Sequence, residues 1–354
     1  MNSRTKNREP RRDKMQVEDL NIKTIEMLPD FMQSGKTPKI GVLINPLSGG
    51  NVNGLGDIRS LINKYPRVLH CDVQTPEDIL EALEDFARRE VDLLAVNGGD
   101  GTVQAVLTHL FHHQPFKSLP ILAVLQSGTT SMTARDVGFS GSRVRSLRKL
   151  FNWATAADGE PQVTQRPVLQ VRAPGHPIRY GMFFGAAAIY QGIHYFHRNV
   201  NTRGLKGEIG PGLTILRFLW AAVRQNSNFI PTVPISVALD DQLPQQLDTF
   251  VVLVSTLERL FLGLYPYWGE ESGPLHFTAL RARPRYLLRA LASILRGRKG
   301  SYGTPENGFY SHNAHEIKLN LGSGFTLDGQ LYTPETQQEP TVVRYGGTAS
   351  FLRI

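Results

Sequence analysis

The hydrophobic positions change rhythm once along the chain, near residue 158. Before it, short apolar runs at 39–45, 67–73, 93–96 and 121–125 take turns with stretches of helical period at 55–64, 76–89, 103–111 and 143–156. Strands that alternate with helices pair in parallel, and the unbroken apolar run Leu93-Leu94-Ala95-Val96 fits a strand covered on both faces. Ligands of such a sheet bind outside the carboxyl ends of its strands. After the break at Asp158-Gly159-Glu160-Pro161, short β segments follow at 168–172, 181–188, 233–239, 249–255, 276–282, 316–321, 325–331 and 342–345. Turns and polar stretches separate them, which suits an antiparallel sandwich. Two helical inserts, 213–223 and 285–296, interrupt this part. The expected fold is a basic, flexible arm over 1–36, an α/β domain with a parallel sheet over 37–158, and a mostly antiparallel β-sandwich domain over 159–354.

Composition narrows the class. With 41% hydrophobic and 20% charged residues the chain reads as an ordinary globular protein, and no apolar run approaches the roughly 20 residues that cross a bilayer. The first residues are polar and charged, without the apolar core of a secretory signal, so a cytoplasmic address is expected. The single Cys71 excludes an internal disulfide and a cysteine-ligated zinc site. A net charge of +8 points to an anionic partner. Zinc-finger spacing and a recognition helix with interleaved aromatics are missing, which sets nucleic acid aside in favour of a nucleotide or an acidic lipid surface. The arm, with Arg4, Lys6, Arg8, Arg11, Arg12 and Lys14, is either a tether to such a surface or a solubilising tail.

The stretch Asn97-Gly98-Gly99-Asp100-Gly101-Thr102 follows the central strand and leads into a helix expected to start near Val103. Glycines permit backbone angles closed to other residues and leave amide N–H groups unshielded, while the helix points its positive end at the turn. The result is a cradle for anionic oxygen, with Thr102 adding a hydroxyl. Asp100 is out of place among phosphates unless a cation lies between them or a proton must be moved, so it implies Mg²⁺ or acid–base work. Two more loops fall on the same sheet edge: Asn45-Pro46-Leu47-Ser48-Gly49-Gly50, and Gly128-Thr129-Thr130-Ser131-Met132-Thr133-Ala134-Arg135. Thr75, just before Pro76, is placed to cap a helix.

Together these three loops, in this order and spacing, resemble the diacylglycerol kinase catalytic domain family, which includes bacterial lipid kinases and sphingosine kinases. The resemblance extends from about Lys39 through most of the chain. It implies ATP as phosphoryl donor with Mg²⁺, and a lipid hydroxyl as acceptor at the inner face of a membrane. The nucleotide would lie against Asn45, Ser48, Gly49, Thr75, Gly98, Gly99, Asp100, Gly101, Thr102, Gly128, Thr129 and Thr130, with a homodimer left open. A soluble NAD kinase-like enzyme shares the Gly-Gly-Asp-Gly turn, but the Asp-Gly near the C-terminus and the basic 285–296 stretch favour a lipid.

Three departures qualify the resemblance. Relatives carry Gly-Thr-Gly-Asn-Asp in the third loop, where this chain has Gly128-Thr129-Thr130-Ser131-Met132. Arg135 keeps its place, to pair with phosphate or with a structural acid. Phe325-Thr326-Leu327-Asp328-Gly329-Gln330 matches the site of the family's Asp-Gly-Glu, whose glutamate is taken as the base that removes the hydroxyl proton. Gln330 cannot accept a proton near neutral pH, so Asp328 is the substitute expected, two residues away on one strand face, unless Asp328-Gly329 is only a hairpin turn. Glu270-Glu271-Ser272-Gly273-Pro274-Leu275 stands near an altered metal-binding turn. In 285–296, Leu287, Leu288, Leu291, Ile294 and Leu295 are expected on one helical face, with Arg285, Arg289 and Arg296 opposite. Arg285, Leu288, Arg289, Leu291 and Leu295 would then meet the membrane, unless the leucines close the core.

Overall fold

The computed structural model describes residues 36–354 except 53, 129–130, 140, 157–160 and 200–232, with 196–199 described through their backbone alone. The basic arm, the break at 158–160 and the 213–223 insert lie outside the described residues. Lys39–Ile354 forms one compact unit.

Four strands pair in parallel in the order β2 (Leu69–Asp72), β1 (Ile40–Ile44), β3 (Leu93–Gly98) and β4 (Ile121–Gln126). The inner strands leave no exposed face: every residue of β1 and β3 is buried, as a sheet covered by helices on both sides requires, while His70 and Asp72 of the edge strand β2 are exposed. Helix α2 (Pro76–Arg88) packs beside α3 (Asp100–His112), and α1 (Leu55–Ile62) packs beside α5 (Arg143–Ala156). Between the last two a short helix α4 (Met132–Val137) follows β4. Helix α3 begins at Asp100, three residues earlier than the sequence pattern places it, because Gly99 is extended and serves as the N-cap. Asp100, Gly101 and Thr102 therefore form the first helical turn rather than a loop before it.

The second half is antiparallel. The order from the edge is β14 (Gln330–Tyr332), β13 (Phe325–Leu327), β7 (Phe183–Ala187), β9 (Gln245–Ser255), β8 (Val233–Leu239), β12 (Glu316–Leu321) and β15 (Thr341–Arg353). Off this path, β10 (Leu275–Arg281) joins β9 to β11 (Phe309–Ala314), and β5 (Gln162–Arg172) joins β15 to β6 (Arg179–Gly181). Phe184, Val252, Phe277, Ile317 and Leu327 belong to the apolar filling of this part. Strand β15 is the joint between the halves, since Phe351 near its end pairs in parallel with Leu122 of β4.

Strand β11 and helix α6 (Ala188–Asn199) were not marked by the hydrophobic pattern. The first is a polar string, Phe-Tyr-Ser-His-Asn-Ala, made a strand by its neighbour β10. The second continues directly from an apolar strand with no capping signal between them. In helix α7 (Leu287–Ile294) the core face is Ala290 and Ile294, with Leu287 packed against the core. Leu288 is 68% exposed. The expected separation of leucines from arginines is thus incorrect: Leu288, Arg285, Arg289 and Arg296 are all exposed, and Leu291 and Leu295 are half-buried.

Candidate functional site

The three glycine-bearing loops meet at the carboxyl ends of β1, β3 and β4. From the first, Asn45 Nδ2 donates to Thr102 Oγ1 at 2.9 Å, and Ser48 Oγ accepts the N–H of Gly99 at 3.0 Å. Gly50 donates its N–H to the carbonyl of Ser127 at 2.9 Å, tying the first loop to the third. Ser131 closes the third loop on itself, accepting the N–H of Gly128 and donating to its carbonyl. It stands in left-handed conformation at φ 44°. Thr129 and Thr130 lie outside the described residues, and Gly49 is exposed at the rim.

The glycines work by clearance rather than by backbone angle. None of Gly98, Gly99, Gly101 and Gly128 has positive φ, against the expectation from sequence. A Cβ on Gly98 would come within 2.5 Å of Thr102 Cβ, and one on Gly128 within 2.8 Å of Gly99 Cα. A Cβ on Gly101 would collide with the Gln330 amide. The second and third loops approach backbone to backbone, which only glycine allows.

Two carboxylates face this turn. Asp100, buried, accepts the N–H groups of Met132 at 3.1 Å and Thr133 at 3.2 Å, at the start of α4. It thereby ties the second loop to the third, a role the sequence did not disclose. Asp328 is 4% exposed and sits in a left-handed turn at φ 47° between β13 and β14, not on a strand face as expected. Its carboxylate accepts the N–H groups of Met182 at 3.0 Å and Phe183 at 2.9 Å. Burial and then the charge of Asp100 push its carboxyl up to about 8, the two amide donors pulling the other way. Gln330 begins β14, exposed, with its amide over Gly101. Asp100, Gly101, Asp328 and Gln330 therefore converge from opposite ends of the chain.

Other residues divide differently from expectation. Thr75 is the N-cap of α2 in a reciprocal pair: its hydroxyl accepts the N–H of Asp78, whose carboxylate accepts the N–H of Thr75. Thr75→Ala is expected to cost about 1 kcal/mol of stability in chemical denaturation while leaving ATP affinity within roughly 2-fold. A larger loss of affinity would give Thr75 a ligand contact as well. Arg135 is exposed above the Phe261 ring; the acid that does structural work is its neighbour Asp136, buried against Arg166 and the N–H groups of Glu258 and Arg259. Phe184, Ala186 and Ala187 of β7 are core. Glu271 accepts from His312 Nδ1 and the N–H of Asn313, so protein donors serve this turn.

Sequence reasoning missed a polar network beneath the loops. Asn51 Nδ2 donates to the carbonyls of Asn45 and Asn97, Ser127 Oγ donates to Asn97 Oδ1, and Arg143 donates to Asn51 Oδ1. The available signal was Asn97 itself, an amide ending an otherwise apolar strand.

The carboxyl edge of the parallel sheet thus gathers close-packed glycine turns and a helix start, with two carboxylates facing them. Residues 39–158 match the model of the diacylglycerol kinase catalytic domain. Among solved structures, the fold is similar to a candidate diacylglycerol kinase from Bacillus anthracis str. Sterne, at 20% identity and a TM-score of 0.60 over 89% of this chain and 96% of that one. A diacylglycerol kinase structure from the same organism matches at 19% identity and 0.55 over the same shares. No curated protein matches the sequence. Among the described residues no helix is long and apolar enough to cross a membrane.

Proposed function

We propose that the protein is an ATP-dependent lipid kinase. The observation that carries this reading is the meeting of all three glycine loops with Asp328 and Gln330 at one sheet edge. ATP would lie with its phosphates at the first turn of α3, by Asp100 and Gly101, where the positive end of the helix favours negative charge. The acceptor hydroxyl oxygen attacks the γ-phosphorus, the bond to the bridging oxygen of ADP breaks, and the hydroxyl proton passes to Asp328.

Magnesium fits only in company with the phosphates. Asp100 and Asp328 are hard oxygen donors within each other's field, and among the described residues no group of three or more metal-binding side chains converges. Asp100 would hold the ion, which when bound neutralises charge on the phosphates. The exposed half of α7, with Leu288 among Arg285, Arg289 and Arg296, is the surface we assign to an anionic membrane, flanked by Leu291 and Leu295.

Gln330 favours a second reading, a nucleotide- or lipid-binding protein with little turnover, since an amide cannot serve as base. Labelled ATP with a panel of diacylglycerol, monoacylglycerol, phosphatidylglycerol and sphingoid lipids separates the two: one labelled lipid is expected, and ATP binding with none labelled would favour the second. Gln330→Glu sharpens the test. With Asp328 as base, its rate should stay within about 10-fold of the natural protein, whereas a gain of 10²-fold or more would mark a weakened catalyst.

A further inference from the structure

Beside the proposed acceptor site, Arg179 of β6 is half-buried, its Nε is enclosed without a hydrogen-bond partner, and among the described residues no carboxylate pairs with it. By contrast the similarly enclosed Arg166 is held by both Asp136 and Glu258. The Arg179 guanidinium lies over the Tyr332 ring, 5.0 Å from its centre, a contact that fixes the group without using its N–H donors.

Its place along two strands decides what it could do. Residues two apart on a strand share a face, so Arg179 lies roughly 6–7 Å along β6 from Gly181. Gly181 packs directly against the Asp328 carboxylate, since a Cβ there would strike Asp328 Oδ2. On β14 the same rule puts Tyr332 one step beyond Gln330, which covers Gly101. Both strands thus lead from the reacting end of the site to the Arg179–Tyr332 pair, one step further from the glycine turn. The phenol of Tyr332 feels the arrangement: burial pushes it up, the Arg179 charge pulls it down, and the Asp328 charge adds to the rise.

Resting on the kinase reading, we propose that Arg179 holds an anionic oxygen group of the acceptor, a phosphodiester a few bonds from the hydroxyl that is phosphorylated. The acceptor is then a glycerophospholipid with a free hydroxyl in its anionic head group. A neutral acylglycerol would leave the buried Nε–H unanswered, and an anion arriving next to Asp100 and Asp328 needs a cation to offset their repulsion. The fork of Arg179 suits two phosphodiester oxygens, and Lys would supply charge without that geometry.

The same phosphate chemistry could come from the transferred group instead, and the test separates the two sources. Phosphorylation of dihexanoyl phosphatidylglycerol and of dihexanoyl glycerol is measured for the natural protein, Arg179→Gln and Arg179→Lys, with ATP affinity by calorimetry. Arg179→Gln is expected to lower kcat/KM for phosphatidylglycerol about 10- to 100-fold, mostly through KM, while diacylglycerol and ATP affinity change less than roughly 3-fold. Arg179→Lys should recover part of the loss. Equal losses on both lipids, or a fall in ATP affinity, would overturn the proposal and place the arginine on the transferred phosphate. Calorimetric binding of dihexanoyl phosphatidylglycerol without ATP must also weaken in Arg179→Gln. If it does while no lipid is ever phosphorylated, the subsite stands and the kinase reading fails; if binding is unchanged, the subsite fails.

Discussion

Asp328→Asn is expected to slow phosphoryl transfer by about 10²- to 10⁴-fold, leave ATP affinity unchanged, and make the protein more stable at alkaline pH. The first effect follows from its assigned role, since an amide of the same shape keeps one oxygen to accept the Phe183 N–H but takes no proton. The second follows because the Asp328 carboxyl is held by the N–H groups of Met182 and Phe183, on the acceptor side of the site. The third follows from its titration. The carboxyl is raised from 3.8 to about 8 by burial and the Asp100 charge, so between those values the folded protein holds a proton that the unfolded chain has released. Stability contributed by this group is therefore full below the unfolded value and lost as pH rises through about 8. The asparagine variant has no such loss, and thermal melts against pH should show the two proteins diverging from about pH 4 up to about 8 and running parallel above it.

The same titration fixes the direction of the rate profile. A base must be ionised, so turnover of the natural protein should climb with pH through about 8. Asp100→Asn removes the neighbouring charge and should move that climb to lower pH. A rate flat across about pH 6 to 10 would remove Asp328 from the role of base.

How far the sequence disclosed this site depended on the range of the physics involved. Parallel strands and their helices were legible because a strand buried on both faces is mostly apolar, as the runs 40–44, 93–96 and 121–125 are. The helix start at Asp100 was not, because Gly99 carries no capping side chain and the first turn is made of residues chosen for clearance. Asp328 was found by motif, yet its setting depends on β13 pairing with β7 more than a hundred residues away in sequence. Asn51, Asn97 and Ser127 escaped for the same reason, since their hydrogen bonds join three strands that no local pattern connects. Arg179 carries no motif at all; its meaning lies in having no acid paired with it among the described residues.

Gly128→Ala is expected to weaken ATP binding about 10- to 100-fold and to lower stability by about 1–3 kcal/mol. The added Cβ would sit 2.8 Å from Gly99 Cα and 3.4 Å from the Asp100 nitrogen, both backbone atoms, so no side chain can swing aside. The second and third loops must separate instead. That motion works against the Asp100 carboxylate, which holds Met132 and Thr133, and against Ser48, which holds the Gly99 N–H. Amides aimed at one point then diverge, and binding suffers through geometry while the fold survives. Gly56→Ala is the control: in the exposed part of α1 its Cβ meets nothing within 4 Å, so it should raise stability by about 0.4–1 kcal/mol and leave ATP affinity alone. Calorimetry with Mg·ATP and thermal melts on both variants read the outcome. Should Gly128→Ala bind ATP as tightly as the natural protein, the loops do not grip a triphosphate together.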